Sequence, residues 1–155
     1  MRRVRPAVAG GGKRMSPQSS EAEARLWAAA VAARRHAHAP FSHFQVGSAL
    51  ETAEGEVVTG CNVENATYGL TVCAERVALF KAVSEGKRRF VRVCVVADTA
   101  EPTPPCGACR QLLWEFGGDL EVILGNLDGV KARYRLKELL PYPFDVRFID
   151  VPPGG

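Results

Sequence analysis

Eight residues near the middle of the chain, FVRVCVVA at Phe90–Ala97, limit the possible folds more than any other stretch. All but Arg92 are apolar and four are β-branched valines, so the run reads as a strand buried on both faces. Helical patterns flank it, residues 73–85 before and Cys106–Phe116 after. A buried strand between amphipathic helices calls for a sheet with helices packed on both sides.

The rest of the chain extends this pattern. Residues 20–38 carry a first helix, opened by a Ser20/Glu23 capping-box pattern, with Leu26, Ala29, Ala30 and Ala33 as its apolar stripe. Phe44–Thr52 and Glu56–Cys61 read as strands joined at Glu54-Gly55. Asn62–Gly69 is a polar loop, and Gly86 ends the second helix. Further strands are expected at Glu121–Leu124 and Val130–Tyr134, with the Asp128-Gly129 turn between them and a short helix at Leu136–Leu140. Five strands result, and because a hairpin precedes the crossover segments, only a mixed sheet fits. The expected architecture is α/β: a three-layer α/β/α domain with a mixed five-stranded sheet. Gly47, inside a strand, marks close backbone approach. Trp27 and Trp114 are expected to pack on helix faces, and Cys61 and Cys94 to be buried structural thiols.

Residues 1–20 hold five basic residues and no acid, are Gly-rich, and are poor in large apolar groups. They read as a disordered N-terminal extension, with Met15 a second candidate start. Residues 21–150 read as one domain, with Pro141 onward lacking further elements and 151–155 a flexible tail. The whole-chain charge of +3 comes from the extension, since residues 21–155 carry 15 basic and 17 acidic side chains, a net −2. The body is therefore not expected to bind nucleic acid, which calls for a positive patch or stripe. No apolar run approaches the roughly 20 residues that span a bilayer, so no membrane partner is expected.

Five cysteines, an odd number at uneven spacing, argue against a disulfide framework and for a reducing cytoplasmic setting. Cys106-Gly-Ala-Cys109 places two sulfurs one helical turn apart at a helix start. There the free N–H groups and the helix dipole favour thiolates. Cys73 opens another helix and offers a third. Alone, a C-x-x-C is either a redox pair or a metal site. Three thiolates leave one tetrahedral position of zinc open, as catalytic sites do, unless Cys61 or a histidine closes it. His36, His38 and His43 read as surface residues. Glu75 lies two residues from Cys73, where its carboxylate points past the metal to the open position. Zinc lowers the pKa of a bound water, three thiolates blunt that effect, and Arg76 is placed to offset their charge.

C-x-E followed by P-C-x-x-C is the zinc-deaminase signature in its all-cysteine variant. FSHFQVGSAL (41–50), GCNVENATYG (60–69), CAERVALFKAVSEG (73–86), PCGACRQ (105–111) and ELLPYPF (138–144) resemble the homotetrameric cytidine deaminases of pyrimidine salvage. The resemblance covers roughly residues 22–145. It implies one zinc per subunit on Cys73, Cys106 and Cys109, with Glu75 as proton shuttle and Arg76 tempering the sulfur charge. It implies that Asn62 and Glu64 bind the ribose 3′-hydroxyl and that Phe44 stacks on the pyrimidine. Ala74 is expected to line the substrate site. Tyr68 and Phe144 are expected to contribute across a subunit interface. Phe41 departs from the family pattern, which has Tyr there.

The expected reaction is hydrolytic deamination of cytidine and 2′-deoxycytidine to the corresponding uridines. Three rivals share part of the pattern: a blasticidin S-type antibiotic deaminase, a nucleic-acid editing deaminase, and a non-catalytic zinc module. The Asn62-Val-Glu64 pair favours cytidine over blasticidin, and the acidic body counts against nucleic-acid editing. A non-catalytic module would need a fourth ligand closing the site, or a Glu75 without use.

Overall fold

A computed structural model describes residues 17–149. The elements are α1 (Pro17–Arg34), β1 (Val46–Thr52), β2 (Val57–Cys61), α2 (Ala74–Ser84), β3 (Phe90–Ala97), α3 (Gly107–Gly117), β4 (Glu121–Asn126), β5 (Gly129–Arg135) and α4 (Leu136–Leu139). The five strands form one sheet in the order β2-β1-β3-β4-β5. β3 and β4 are parallel, and every other neighbouring pair is antiparallel. The α/β, mixed five-strand expectation holds, and the FVRVCVVA run is the middle strand.

Alternate residues on β1, β3 and β4 supply the two cores. Leu50, Val93, Val95, Val122 and Leu124 face α2 and α3, meeting Ala78, Leu79, Ala82 and Leu113. Ala49, Cys94, Val96 and Ile123 face α1, meeting Leu26 and Ala30. Full burial of a side chain such as Leu79 or Leu113 stabilises by about 1.5–3 kcal/mol. The chemistry sits on the α2/α3 side, where the core is larger.

Two glycines set how closely helices lie on the sheet. A Cβ at Gly47 would fall 2.0 Å from the Ala30 carbonyl oxygen of α1, as the sequence led us to expect. A Cβ at Gly60 would fall 2.4 Å from the Ala78 nitrogen and 2.5 Å from the Ala74 oxygen of α2. The sequence reading missed this second approach, which seats the start of α2 on β2.

Several boundaries differ. α1 starts at Pro17 and ends at Arg34, so His36 and His38 are not helical, though all three histidines are exposed as expected. Glu23 caps nothing: it is buried and pairs with Arg133 of β5, because the helix begins upstream of Ser20. Cys61 is only half-buried, since β2 is an edge strand, whereas Cys94 is fully buried. Residues past Leu140 are not featureless. A 3₁₀ turn at Val146–Phe148 follows, and α3 holds this segment through Gln111 Nε2 to the Phe144 carbonyl (2.6 Å) and Trp114 Nε1 to Asp145 (3.0 Å). Of the extension expected over residues 1–20, residues 17–20 form the first turn of α1; residues 1–16 and the tail over 151–155 lie outside the described residues.

Candidate metal centre and active site

The N-termini of α2 and α3 converge, and the N-cap residue of each is a cysteine. Cys73 and Cys106 take extended backbone angles and their carbonyls accept the first helical hydrogen bonds, from Val77 and Arg110. Cys109 lies in the first turn of α3, on the same face as Cys106. The three sulfurs lie within 4.8 Å of one another, at 3.9 Å for Cys73–Cys106 and 3.5 Å for Cys106–Cys109. Sulfurs on a tetrahedral zinc, each ~2.3 Å from the metal, lie about 3.8 Å apart. The donor set and spacing therefore fit zinc. Among the described residues no histidine or carboxylate joins the cluster. Cys61 and Cys94 are separate from it.

The Cys73 thiol is lowered to about 5 by hydrogen bonding to Cys109, and further by Arg76. The same hydrogen bond holds the Cys109 thiol up. Arg76 Nη2 reaches Cys73 Sγ at 3.7 Å and the Thr71 carbonyl at 3.1 Å. Its guanidinium thus braces the ligand loop and sets a positive charge beside the Cys73 sulfur.

Glu75, in the first turn of α2, is 5% exposed. Burial raises its carboxyl to about 7, and the Cys73 thiolate pushes in the same direction. A carboxyl with that pKa both takes and gives a proton near neutrality. Ala74 is fully buried, backbone and side chain alike, so the substrate contact expected at Ala74 has no exposed surface to make it.

Beside the cluster lies an open cleft of about 400 Å³ lined by Phe41, Ser42, Glu64, Tyr68 and Thr71. Thr71 connects cleft and metal centre, since Arg76 bonds its carbonyl. The Glu64 carboxylate is held on the rim by the N–H groups of Phe41 (2.8 Å) and Ser42 (3.2 Å) and by the Ser42 hydroxyl. Asn62 is buried and spends its amide on the loop before β1: Oδ1 accepts from Val46 N and Nδ2 donates to the Phe44 carbonyl, both at 2.8 Å. One N–H of that amide is left for a ligand. Phe44, 41% exposed, is not a core residue. Tyr68 is 75% exposed and packs edge-on against Phe41 at 5.9 Å. Phe144 is 58% exposed and stacks on Phe148 within its own chain.

Sequence reasoning missed Arg110 and Ser42. Arg110 ties the buried Pro105 before the C-x-x-C to α4, through the Pro105 and Leu139 carbonyls, both at 2.8 Å. Ser42 bonds Glu64 although the two are far apart in sequence. Both residues lie inside the quoted motif segments, but nothing local in the sequence marks their partners.

Residues 20–125 match the family model for the cytidine and deoxycytidylate deaminase zinc-binding region. A cytidine deaminase of Halalkalibacterium halodurans is 55% identical over 116 residues, 74% of this chain and 88% of that protein. One from Sporosarcina psychrophila is 48% identical over 121 residues, 77% of this chain and 89% of that protein. The crystal structure of a cytidine deaminase from Burkholderia pseudomallei superposes with a TM-score of 0.74 at 47% identity, covering 84% of this chain and all of the other.

Proposed function

The chain belongs to the cytidine and deoxycytidylate deaminase zinc-binding family, and on that premise we propose that it hydrolyses cytidine and 2′-deoxycytidine to uridine and 2′-deoxyuridine, releasing ammonia. One observation carries the reading: a buried carboxyl, Glu75, poised near neutrality two residues from Cys73 of a three-sulfur cluster that no fourth protein ligand joins among the described residues. Cys73, Cys106 and Cys109 would hold a zinc ion, which when bound would supply Lewis-acid activation of a water at neutral pH. Glu75 accepts the proton of that water and passes it to N3 as oxygen adds to C4 of the base. It then helps carry a proton to the departing amine, so the C4–N bond breaks with ammonia as leaving group. The burial of Glu75 keeps bulk water from taking over this exchange. Arg76 offsets the charge of the sulfurs. Asn62 and Glu64 bind the ribose 3′-hydroxyl and Phe44 stacks on the pyrimidine.

The enzyme is read as a cytoplasmic homotetramer of pyrimidine salvage, with one zinc per subunit. The exposed aromatic surface formed by Tyr142, Phe144 and Phe148 supports self-association, as does the exposed Tyr68 at the cleft. No helix among the described residues is long and apolar enough to cross a membrane.

The test is the ultraviolet change of cytidine incubated with zinc-loaded protein, beside Glu75→Gln and Cys73→Ala. Wild type should consume cytidine. Glu75→Gln should keep its zinc and lose about 10²- to 10⁴-fold in turnover. Cys73→Ala should lose zinc. Full activity in Glu75→Gln would overturn the shuttle role, and wild-type metal content in Cys73→Ala would overturn the ligand set. Turnover of blasticidin S in preference to cytidine would replace the substrate assignment.

A further inference from the structure

The Glu64 carboxylate has about four acceptor positions. Three are taken by its own subunit. Oε2 receives the backbone N–H groups of Phe41 and Ser42, and Oε1 receives the Ser42 hydroxyl. The position left for a sugar hydroxyl is therefore on Oε1, the atom that Ser42 holds. Any residue at 42 except proline supplies the backbone N–H; the bond to Oε1 comes from the hydroxyl side chain.

The same hydroxyl also works in the other direction. Ser42 Oγ accepts the Phe44 N–H at 3.0 Å, across His43, which takes a left-handed φ of 57°. That turn brings the Ser42 side chain back over the Phe44 backbone. The carbonyl side of Phe44 is pinned by the buried Asn62, while its N–H side is held by Ser42. Ser42 also lines the cleft with Glu64.

We propose that Ser42 is a positioning residue for nucleoside binding: its hydroxyl aims the free lone pair of Glu64 and couples that carboxylate to the backbone of Phe44, so the sugar contact and the base contact are set together. The inference rests on the reading of Glu64 as the sugar-binding acid. Without the hydroxyl, Oε1 gains a second open position and the carboxylate is anchored through Oε2 alone. The penalty should appear on substrates whose sugar hydroxyl uses that oxygen.

The experiment compares cytidine with 3′-deoxycytidine in zinc-loaded wild type, Ser42→Ala, Ser42→Thr and Glu64→Gln. Ser42→Ala should lose about tenfold in kcat/KM on cytidine, carried by KM, and only about two- to threefold on 3′-deoxycytidine, which keeps the base contact at Phe44 but lacks the hydroxyl that Glu64 receives. Ser42→Thr keeps the hydroxyl and should recover most of the loss. Calorimetric binding of cytidine to the Glu75→Gln protein should weaken about tenfold when Ser42→Ala is added, with zinc content unchanged. Equal losses on both nucleosides, or no loss on cytidine, would overturn the assignment. If Glu64→Gln discriminates between the two nucleosides and Ser42→Ala does not, Ser42 alone is excluded. If Glu64→Gln does not discriminate either, the sugar role of Glu64 falls and the Ser42 role falls with it.

Discussion

Glu75 has an ordinary carboxylate value of 4.5 and is raised to about 7, by burial first and then by the Cys73 thiolate. A folded-state pKa above the unfolded one means that the native protein binds the proton more tightly. Its stability contribution is thus full below pH 4.5 and is lost as pH rises to 7. The cost is about 3 kcal/mol once both states are ionised. In chelator-treated protein, urea unfolding should show Glu75→Gln gaining on wild type by about that amount between pH 4 and pH 8. A stability difference that does not vary with pH would contradict the buried, raised carboxyl. The identity of Glu75 was legible from its offset to Cys73, because N-terminal turns have fixed geometry. Its burial was not, because that depends on the packing of α2 against β2 and α3. Asn62 makes the same point: the Asn-x-Glu pattern was visible, but not that its amide is committed to the Phe44–Val46 backbone.

Among the elements, α2 matters most, since it carries Cys73, Glu75 and Arg76. It lies against β2 through Gly60 just as α1 lies against β1 through Gly47. Both sites lack room for a methyl group, and overpacking of this kind typically costs about 1–3 kcal/mol. The two substitutions should differ in function. Gly60→Ala must shift the first turns of α2, so it should lower zinc content and activity as well as stability. Gly47→Ala strains the opposite face and should lower the urea midpoint while leaving zinc content near wild type. Equal zinc loss in both would mean that the Gly60 contact does not set the metal centre. Strand identities were readable from β-branched runs, and Phe90–Ala97 was read with its observed bounds. Helix ends were read less well. The first helix was extended to His38, although the chain leaves it after Arg34 and His38 pairs with Val63 in an isolated bridge. The helical periodicity carries no mark of that later contact.

The whole chain is joined by contacts that its local sequence does not announce. Glu23 and Arg133 pair across most of its length, linking α1 to the edge strand β5, and Glu51 pairs with both Arg25 and Arg92. The segment after α4 is held on α3 and presents Tyr142, Phe144 and Phe148 to solvent. If that surface is buried between subunits, sedimentation should give four times the 16.8 kDa chain mass, and Phe144→Ser should lower both that mass and the activity. A fully active monomer would rule out a pocket completed by neighbouring chains. The strand and helix pattern, the Cys106–Cys109 pair and the placing of Glu75 two residues from Cys73 were all written in short-range order. Periodicity and spacings of two or three residues suffice for them, because backbone geometry converts such spacings directly into faces and turns. The convergence of two helix N-termini, the burial that lifts Glu75 toward neutrality and the Ser42–Glu64 contact came from the folded chain. Each depends on groups far apart in sequence, whose separation becomes short only after the sheet has paired and the helices have packed on it.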